Sequence, residues 1–178
     1  MTLSPDRSVR LGWADDAVAL ASIQRHVWTG TWVRADQIEE AFGDLDEHAA
    51  RWSATLTAPQ EARFRVLVAL DGPRPRGYVV VHPGADPDAD PATDAEIGDL
   101  AVDPDARRVG HGSRLVQAAV DTAVADGFTL LRMWLPSTDD ATRALLVSSG
   151  WSPDGAHREL EAPDGRRLPQ VRLHTQIA

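Results

Sequence analysis

The sequence predicts an α/β fold, a mixed central sheet with flanking helices. Three observations predict it. Period-two and period-3.6 apolar runs alternate along the chain, the patterns of half-buried strands and amphipathic helices. One run, "FTLLRMWL" at 128–135, is apolar almost throughout, as a central strand covered on both faces is. A strand-like "EIGDLAV" leads through "RRVGHG" into a helix-like "SRLVQAAVDTAV".

The elements follow in order. "SVRL" at 8–11 is a short strand. Asp15 and Asp16 open a helix with Leu20, Ile23 and Val27 on one face, since acidic residues suit the positive N-terminal end. A second helical region carries Ile38, Ala41, Phe42, Leu45, Ala49, Trp52 and Leu56, and Gly43-Asp44 breaks it into two pieces. "RFRVLVAL" and "YVVVH" are the arms of a hairpin joined by "DGPRPRG". Residues 83–96 form a Pro- and Asp-rich loop without apolar period, expected to be solvated. "EIGDLAV" (96–102) is the next strand, and the helix after it buries Leu115, Val116, Ala119, Val120 and Ala123. After the central strand, "STDDATRALLVSSG" is a helix with Asp or Thr near its cap and Gly150 just past its end. Strands around 155–161 and 168–176 close the chain through the turn "APDGRR". The 178 residues, 43% hydrophobic and without repeat or linker, are expected to form one domain over 1–178. A chain of that size buries roughly 70% of its unfolded surface.

Composition excludes several function classes. A net charge of −9 argues against nucleic-acid binding. There is no cysteine, hence no disulfide, thiol catalysis or thiolate metal site. No pair among the six histidines has metal-ligand spacing, so no metal is expected. All 18 basic residues are arginine, which removes Schiff-base and P-loop lysine chemistry. The N-terminus lacks the basic and apolar blocks of a signal peptide, and no apolar run nears the ~20 residues that span a membrane. A cytoplasmic protein with no membrane partner is expected.

"RRVGHG" carries the chemistry. A helix N-terminus offers unpaired N–H groups and partial positive charge. Glycine lets an anion approach the backbone and permits positive φ. Strand, glycine loop and helix together make a phosphate-binding device, and Arg107, Arg108 and Arg114 add cations in a chain of net −9. A Walker loop is excluded without lysine, and a dinucleotide fingerprint needs a third glycine where Leu115 stands.

Arg107-x-x-Gly110-x-Gly112, with "LAVDP" before it and "SSGW" after the last helix, resembles the Gln/Arg-x-x-Gly-x-Gly/Ala signature of the GNAT family of N-acetyltransferases. The element order is similar too. The resemblance covers nearly the whole chain and is specific from about 95 to 151. It implies an acetyl-CoA-dependent N-acetyltransferase with splayed fourth and fifth strands. The cofactor pyrophosphate would rest on the amides of Arg108, Val109, Gly110, His111, Gly112 and Ser113, beside Arg107. Its pantetheine arm would pair with Leu100, Ala101 and Val102 as an added strand. Asp139 takes the family's usual asparagine position.

An ammonium of pKa ~10.4 is neutral in only about 1 in 2,500 molecules at pH 7, so a base helps. Glu96, eleven residues before Arg107, matches the family's base glutamate. Asp99 is one strand face away unless a bulge intervenes. The family tyrosine that protonates the departing thiolate would fall at Leu146, while the chain's one tyrosine is Tyr78, on another strand; water or Ser148 are alternatives. Trp28 and Trp32 match the region lining the acceptor pocket, whereas Trp134 and Trp151 suit the core. His82 is expected at the surface, near the cleft. The acidic loop is placed to attract a cationic acceptor. The acceptor would be a small-molecule or peptide amine, and a homodimer is an open alternative. A non-catalytic acyl-CoA-binding module and a nucleotide-binding domain are the rival readings.

Overall fold

The computed structural model describes residues 6–31, 33–161 and 165–178. Seven strands are present: β1 (Arg7–Leu11), β2 (Arg65–Asp71), β3 (Arg74–Pro83), β4 (Asp94–Val102), β5 (Leu130–Pro136), β6 (Ser152–Glu161) and β7 (Arg167–Gln176). Five helices accompany them: α1 (Ala17–Thr31), α2 (Ile38–Phe42), α3 (Leu45–Thr57), α4 (His111–Ala125) and α5 (Asp140–Ser148). The strands form one mixed sheet in the order β1-β2-β3-β4-β5-β7-β6. Among the seven strands of the described residues only β4 and β5 pair in parallel.

Alternation along β2 covers both faces of the sheet. Leu67 and Ala69 meet Leu115, Val116 and Ala119 of α4 on the back. Val66, Val68 and Leu70 meet Leu20, Ala21 and Ile23 of α1 and Trp52 of α3 on the front. Each fully buried Leu, Val or Ile contributes about 1.5–3 kcal/mol. The predicted break between the second and third helices is real. Gly43 has φ +75°, and the Asp44 side chain caps α3 by accepting from the Asp46 N–H. The first helix starts later than its acidic pair suggests. Ala14–Asp16 is a 3-10 turn, and Asp16 is buried in an ion pair with Arg10 (2.7 Å).

The loop before β4 departs from expectation. Its carboxylates are not free in solvent. Arg172 of β7, with a side chain only 9% exposed, pairs with Asp86 at 2.9 Å, Asp88 at 2.7 Å and Asp154 at 2.6 Å. Arg132 of β5 pairs with Asp88 at 3.3 Å and Asp94 at 3.1 Å. The Trp134 indole N–H donates to Asp86 at 2.8 Å. The reason lies in β5. Leu131, Met133 and Leu135 turn to the back core, so Arg132 and Trp134 must face front, and the aspartates of the loop neutralise that face. Asp88 is held down to about 2, chiefly by its hydrogen bond from Arg172. Carboxylates so engaged have little charge left to steer a cationic acceptor.

Arg172→Met is expected to cost about 3–5 kcal/mol in urea unfolding, because it removes the buried cation from Asp86 and Asp154. Asp90→Asn is expected to stay within about 0.5 kcal/mol of the parent, since the Asp90 side chain only accepts from the backbone N–H of Ala92. Equal losses would show that the loop is not fastened through Arg172.

Candidate active site

Asp94–Ile97 of β4 pair with Leu130–Met133 of β5, and the two strands then part. β4 runs on to Val102 and β5 to Pro136. Between them opens a cleft of about 910 Å³. The expected splay is present, and Leu100, Ala101 and Val102 line its open edge.

A bulge shapes this edge. Val80 of β3 lies opposite Asp99 while Val81 lies opposite Ile97, so Gly98 is the extra residue. A bulge adds local twist and re-aims the side chains after it. Ile97 packs into the back core, and Ala101 packs into the front one. Glu96 and Asp99 therefore share the front face, whereas an unbroken strand would turn them apart. Glycine suits position 98 because a Cβ there would stand 2.6 Å from His82 Nε2 and the ring would have to shift. His82 is half-buried in that position, its ring 6.0 Å from Phe64 and nearly parallel to it. It keeps part of its surface exposed, as the sequence suggested, and does not line the cleft.

Glu96 is 9% exposed and lines the cleft. Among the described residues no side chain bonds or pairs with it. Asp99 is different. It accepts from the Tyr78 hydroxyl at 2.7 Å, and burial pushes its carboxyl up from the ordinary range. Burial and the neighbouring Asp99 push the Tyr78 hydroxyl up as well. The chain's one tyrosine thus reaches the cleft from β3. Leu146 does not reach it: that side chain is fully buried in the back core.

The glycine loop bends as its composition requires. Arg108 has φ +65° and Gly110 φ +92°. Left-handed residues turn successive N–H groups toward one side, a concavity suited to anions. For Arg108 that conformation costs about 1–2 kcal/mol. Gly112 has a second reason to be bare, because a Cβ would stand 3.0 Å from Leu145 of α5. Arg107, Arg108, Gly110, His111, Gly112 and Ser113 all line the cleft.

Two loop residues do not. Val109 turns its side chain outward, 38% exposed, and its carbonyl accepts from Arg7 Nη1 at 3.2 Å and Arg114 Nη1 at 3.3 Å. Arg114 folds back on the loop in doing so. His111 is divided. It opens α4 at the cleft, while its ring is 1% exposed and finds no hydrogen-bond partner among the described residues. Burial first, then Arg7, Arg114 and Arg76, hold that ring below its ordinary pKa against the pull of Asp71.

The far wall comes from α5, β5, β6 and β7. Asp139 lines it and caps α5, accepting from the Thr142 N–H at 3.0 Å. Ser148 also lines it, with its hydroxyl donated to the Leu145 carbonyl at 2.8 Å. Trp28 faces the cleft, edge-on to Phe42 at 5.4 Å; Trp32 lies outside the described residues. Sequence reasoning missed Trp134, Arg158 and Gln170 on this wall. The period-two core of β5 was the available signal for Trp134, which is not a core residue.

His26, Asp103 and Asp105 bring ligand atoms within 4.8 Å of one another. Arg76 Nη1 already pairs with Asp103 at 3.1 Å, which supplies the positive charge there.

The sequence pattern of the family described as Acetyltransferase (GNAT) matches residues 19–151. A mycothiol acetyltransferase of Mycolicibacterium gilvum (strain PYR-GCK) is 36% identical over 145 residues, 78% of this chain and 45% of the relative. The chain therefore spans less than half of that relative's length. An N-acetyltransferase from Staphylococcus aureus Mu50 superposes with a TM-score of 0.76 at 16% identity, over 97% of this chain and 99% of that one. A ribosomal-protein-alanine N-acetyltransferase from Brucella melitensis gives 0.72 at 21% identity, over 95% and 99%. A phosphinothricin acetyltransferase from Sinorhizobium meliloti, in complex with AcCoA, gives 0.73 at 20% identity, over 97% and 89%. At these identities the structural likeness is one of fold.

A carboxyl raised by burial favours folding only while protonated. Its contribution is complete below the ordinary Asp value near 3.9 and is lost as pH rises through the elevated one, at about 1.4 kcal/mol for each tenfold gain in proton affinity. Asp99→Asn keeps an oxygen for the Tyr78 hydroxyl. It is expected to raise Tm at pH 8 and to raise it less at pH 4. A gain independent of pH would show that Asp99 ionises as freely in the folded protein as in the unfolded one.

Proposed function

The chain belongs to the acetyltransferase (GNAT) family, and from that premise we propose that it is an acetyl-CoA-dependent N-acetyltransferase acting on the primary amine of a small molecule or a peptide, with Glu96 taking the amine proton. One observation carries the reading. An open strand edge, a glycine loop at a helix N-terminus and a carboxylate free of protein partners all face one cleft. The names of the relatives, a mycothiol acetyltransferase and a ribosomal-protein-alanine N-acetyltransferase, support the two acceptor classes.

An acyl-CoA suits each part of that cleft. Its pyrophosphate takes the N–H groups of the loop from Arg108 to Ser113, with Arg107 and Arg108 to balance charge. Val109 contributes its amide alone. The pantetheine amides bond along Leu100, Ala101 and Val102, where β5 has left the β4 edge unpaired. Asp139 and Ser148 border the same space from α5.

The chemistry then needs two proton movements. The acceptor enters past Trp28 as an ammonium and gives a proton to Glu96. Its nitrogen attacks the thioester carbonyl, the N–C bond forms, and the C–S bond breaks. The second amine proton leaves the nitrogen and balances the departing thiolate, which, with an ordinary thiol pKa near 8.5, leaves without much help. Glu96 lies beside Ile97, the last residue of β4 that β5 pairs, so its carboxylate sits where the slot begins. We place the enzyme in the cytoplasm, acting without nucleic acid; among the described residues no helix is long and apolar enough to cross a membrane.

Glu96→Gln preserves shape and is expected to lower kcat by about 10²–10⁴ at pH 7, the usual range for one general base. Its affinity for acetyl-CoA, measured by calorimetry, is expected to hold. Because higher pH supplies neutral amine, the deficit is expected to narrow toward pH 9–10. A variant with parental kcat at pH 7 would move the base elsewhere, with Asp99 next in position. Gly112→Glu puts bulk against Leu145 and negative charge on the loop, and is expected to weaken acetyl-CoA binding at least about 100-fold, some 2.7 kcal/mol. Unchanged affinity would remove the loop from the cofactor site.

A further inference from the structure

We propose that Arg158 makes this an acetyltransferase for amines that carry a carboxylate, the acid group docking on Arg158 while the amine meets Glu96. The inference rests on the acetyl-transfer reading above and names the acceptor class within it. Among the described residues three arginines line the cleft. Arg107 and Arg108 belong to the glycine loop. Arg158 stands on β6, on the acceptor wall.

Its guanidinium is held in place. Nε donates to Gln170 Oε1 at 2.8 Å, and Gln170 is itself only 4% exposed. The guanidinium carbon lies 4.3 Å from the centre of the Trp134 ring. Stacking and one hydrogen bond orient the group and leave its terminal nitrogens. Their nearest anion is Asp86, at 3.8 Å. Asp86 receives the Trp134 indole at 2.8 Å and Arg172 at 2.9 Å on its Oδ2, and its Oδ1 stands beyond hydrogen-bond distance of Arg158 in a long ion pair. The Arg158 side chain remains 38% exposed at the cleft.

A guanidinium fork fixed in orientation, whose terminal N–H groups make no hydrogen bond among the described residues, matches a carboxylate in two-point geometry. Its placement matches an amine acceptor. Glu96 lies opposite Arg132 of β5. Trp134 follows two residues along that strand, about 7 Å away, and carries Arg158 on its face. One acceptor molecule can then touch Glu96 with its nitrogen and Arg158 with its acid. A free peptide N-terminus has no carboxylate at that reach unless its first residues are acidic.

The test uses the full chain and acetyl-CoA with unbranched ω-amino acids, from glycine to 5-aminopentanoate, each matched to the alkylamine of the same length. At least one acid is expected to exceed its matched amine about tenfold in kcat/KM. In Arg158→Gln that ratio is expected to fall to within about threefold, through a rise in KM for the acid. Arg158→Lys, which keeps charge but loses the fork, is expected to fall between. Thermal unfolding checks that the variants fold. A parent that prefers the plain amine at every length overturns the proposal, as does a preference that survives in Arg158→Gln. Calorimetric titration of the same acids into CoA-saturated protein separates this idea from acetyl transfer itself. If no amine is acetylated, the transfer reading fails, while acid binding that depends on Arg158 still supports the subsite. Acid binding that is absent, or equal in parent and variant, overturns it.

Discussion

One extra residue in β4 sets the geometry of the site. Because Gly98 has no counterpart on β3, the strand changes the facing of its side chains midway. Before the bulge, Ile97 completes the back core and Glu96 looks forward. After it, Asp99 and Ala101 look forward, and Leu100 and Val102 pack toward α4. The strand also turns away from β5 at this point, which frees its backbone edge. Two carboxylates on one face and an unpaired ladder beside them follow from a single insertion. Without it, Asp99 would lie in the back core and the cleft would lose a wall.

The two halves of the sheet are covered by different forces. Over β2 and β3 the front face is closed by α1 and α3 through ordinary apolar burial. Over β5 and β7 no helix serves, and a loop of aspartates lies on Arg132 and Arg172 instead. A chain whose every basic residue is arginine suits this arrangement, since the guanidinium offers five donors in a fixed plane and one Arg172 engages three carboxylates. A lysine in that place would present a point charge to the same three groups. The ionic half is also the half that forms the far wall of the cleft, so Trp134 and Arg158 are held by the same network.

The fold was legible because each element carried its own period. The α4 stripe of Leu115, Val116, Ala119 and Ala123 is in the core, as its spacing predicts, and Gly43-Asp44 breaks the helix where the dipeptide stands. The bend of the glycine loop was legible at Gly110, because positive φ favours glycine. What escaped the sequence depended on partners far along the chain. The bulge at Gly98 depends on His82, sixteen positions earlier. The loop of aspartates looks solvated in sequence because the arginines that bind it come 44 and 84 or more residues later. Tyr78 lies on another strand, yet a tyrosine is long enough to cross to Asp99 on the neighbouring one. Arg158 was invisible, since its importance comes from Trp134 and Gln170 on other strands.

The contact between His82 and Gly98 also restricts how this protein can evolve. The imidazole occupies the volume that any side chain at 98 would need. A side chain at 98 therefore requires the imidazole to shift, and a shifted ring gives up its stacking on Phe64. The two positions constrain each other, so the shape of the β4 edge is inherited as a pair of residues, not as one.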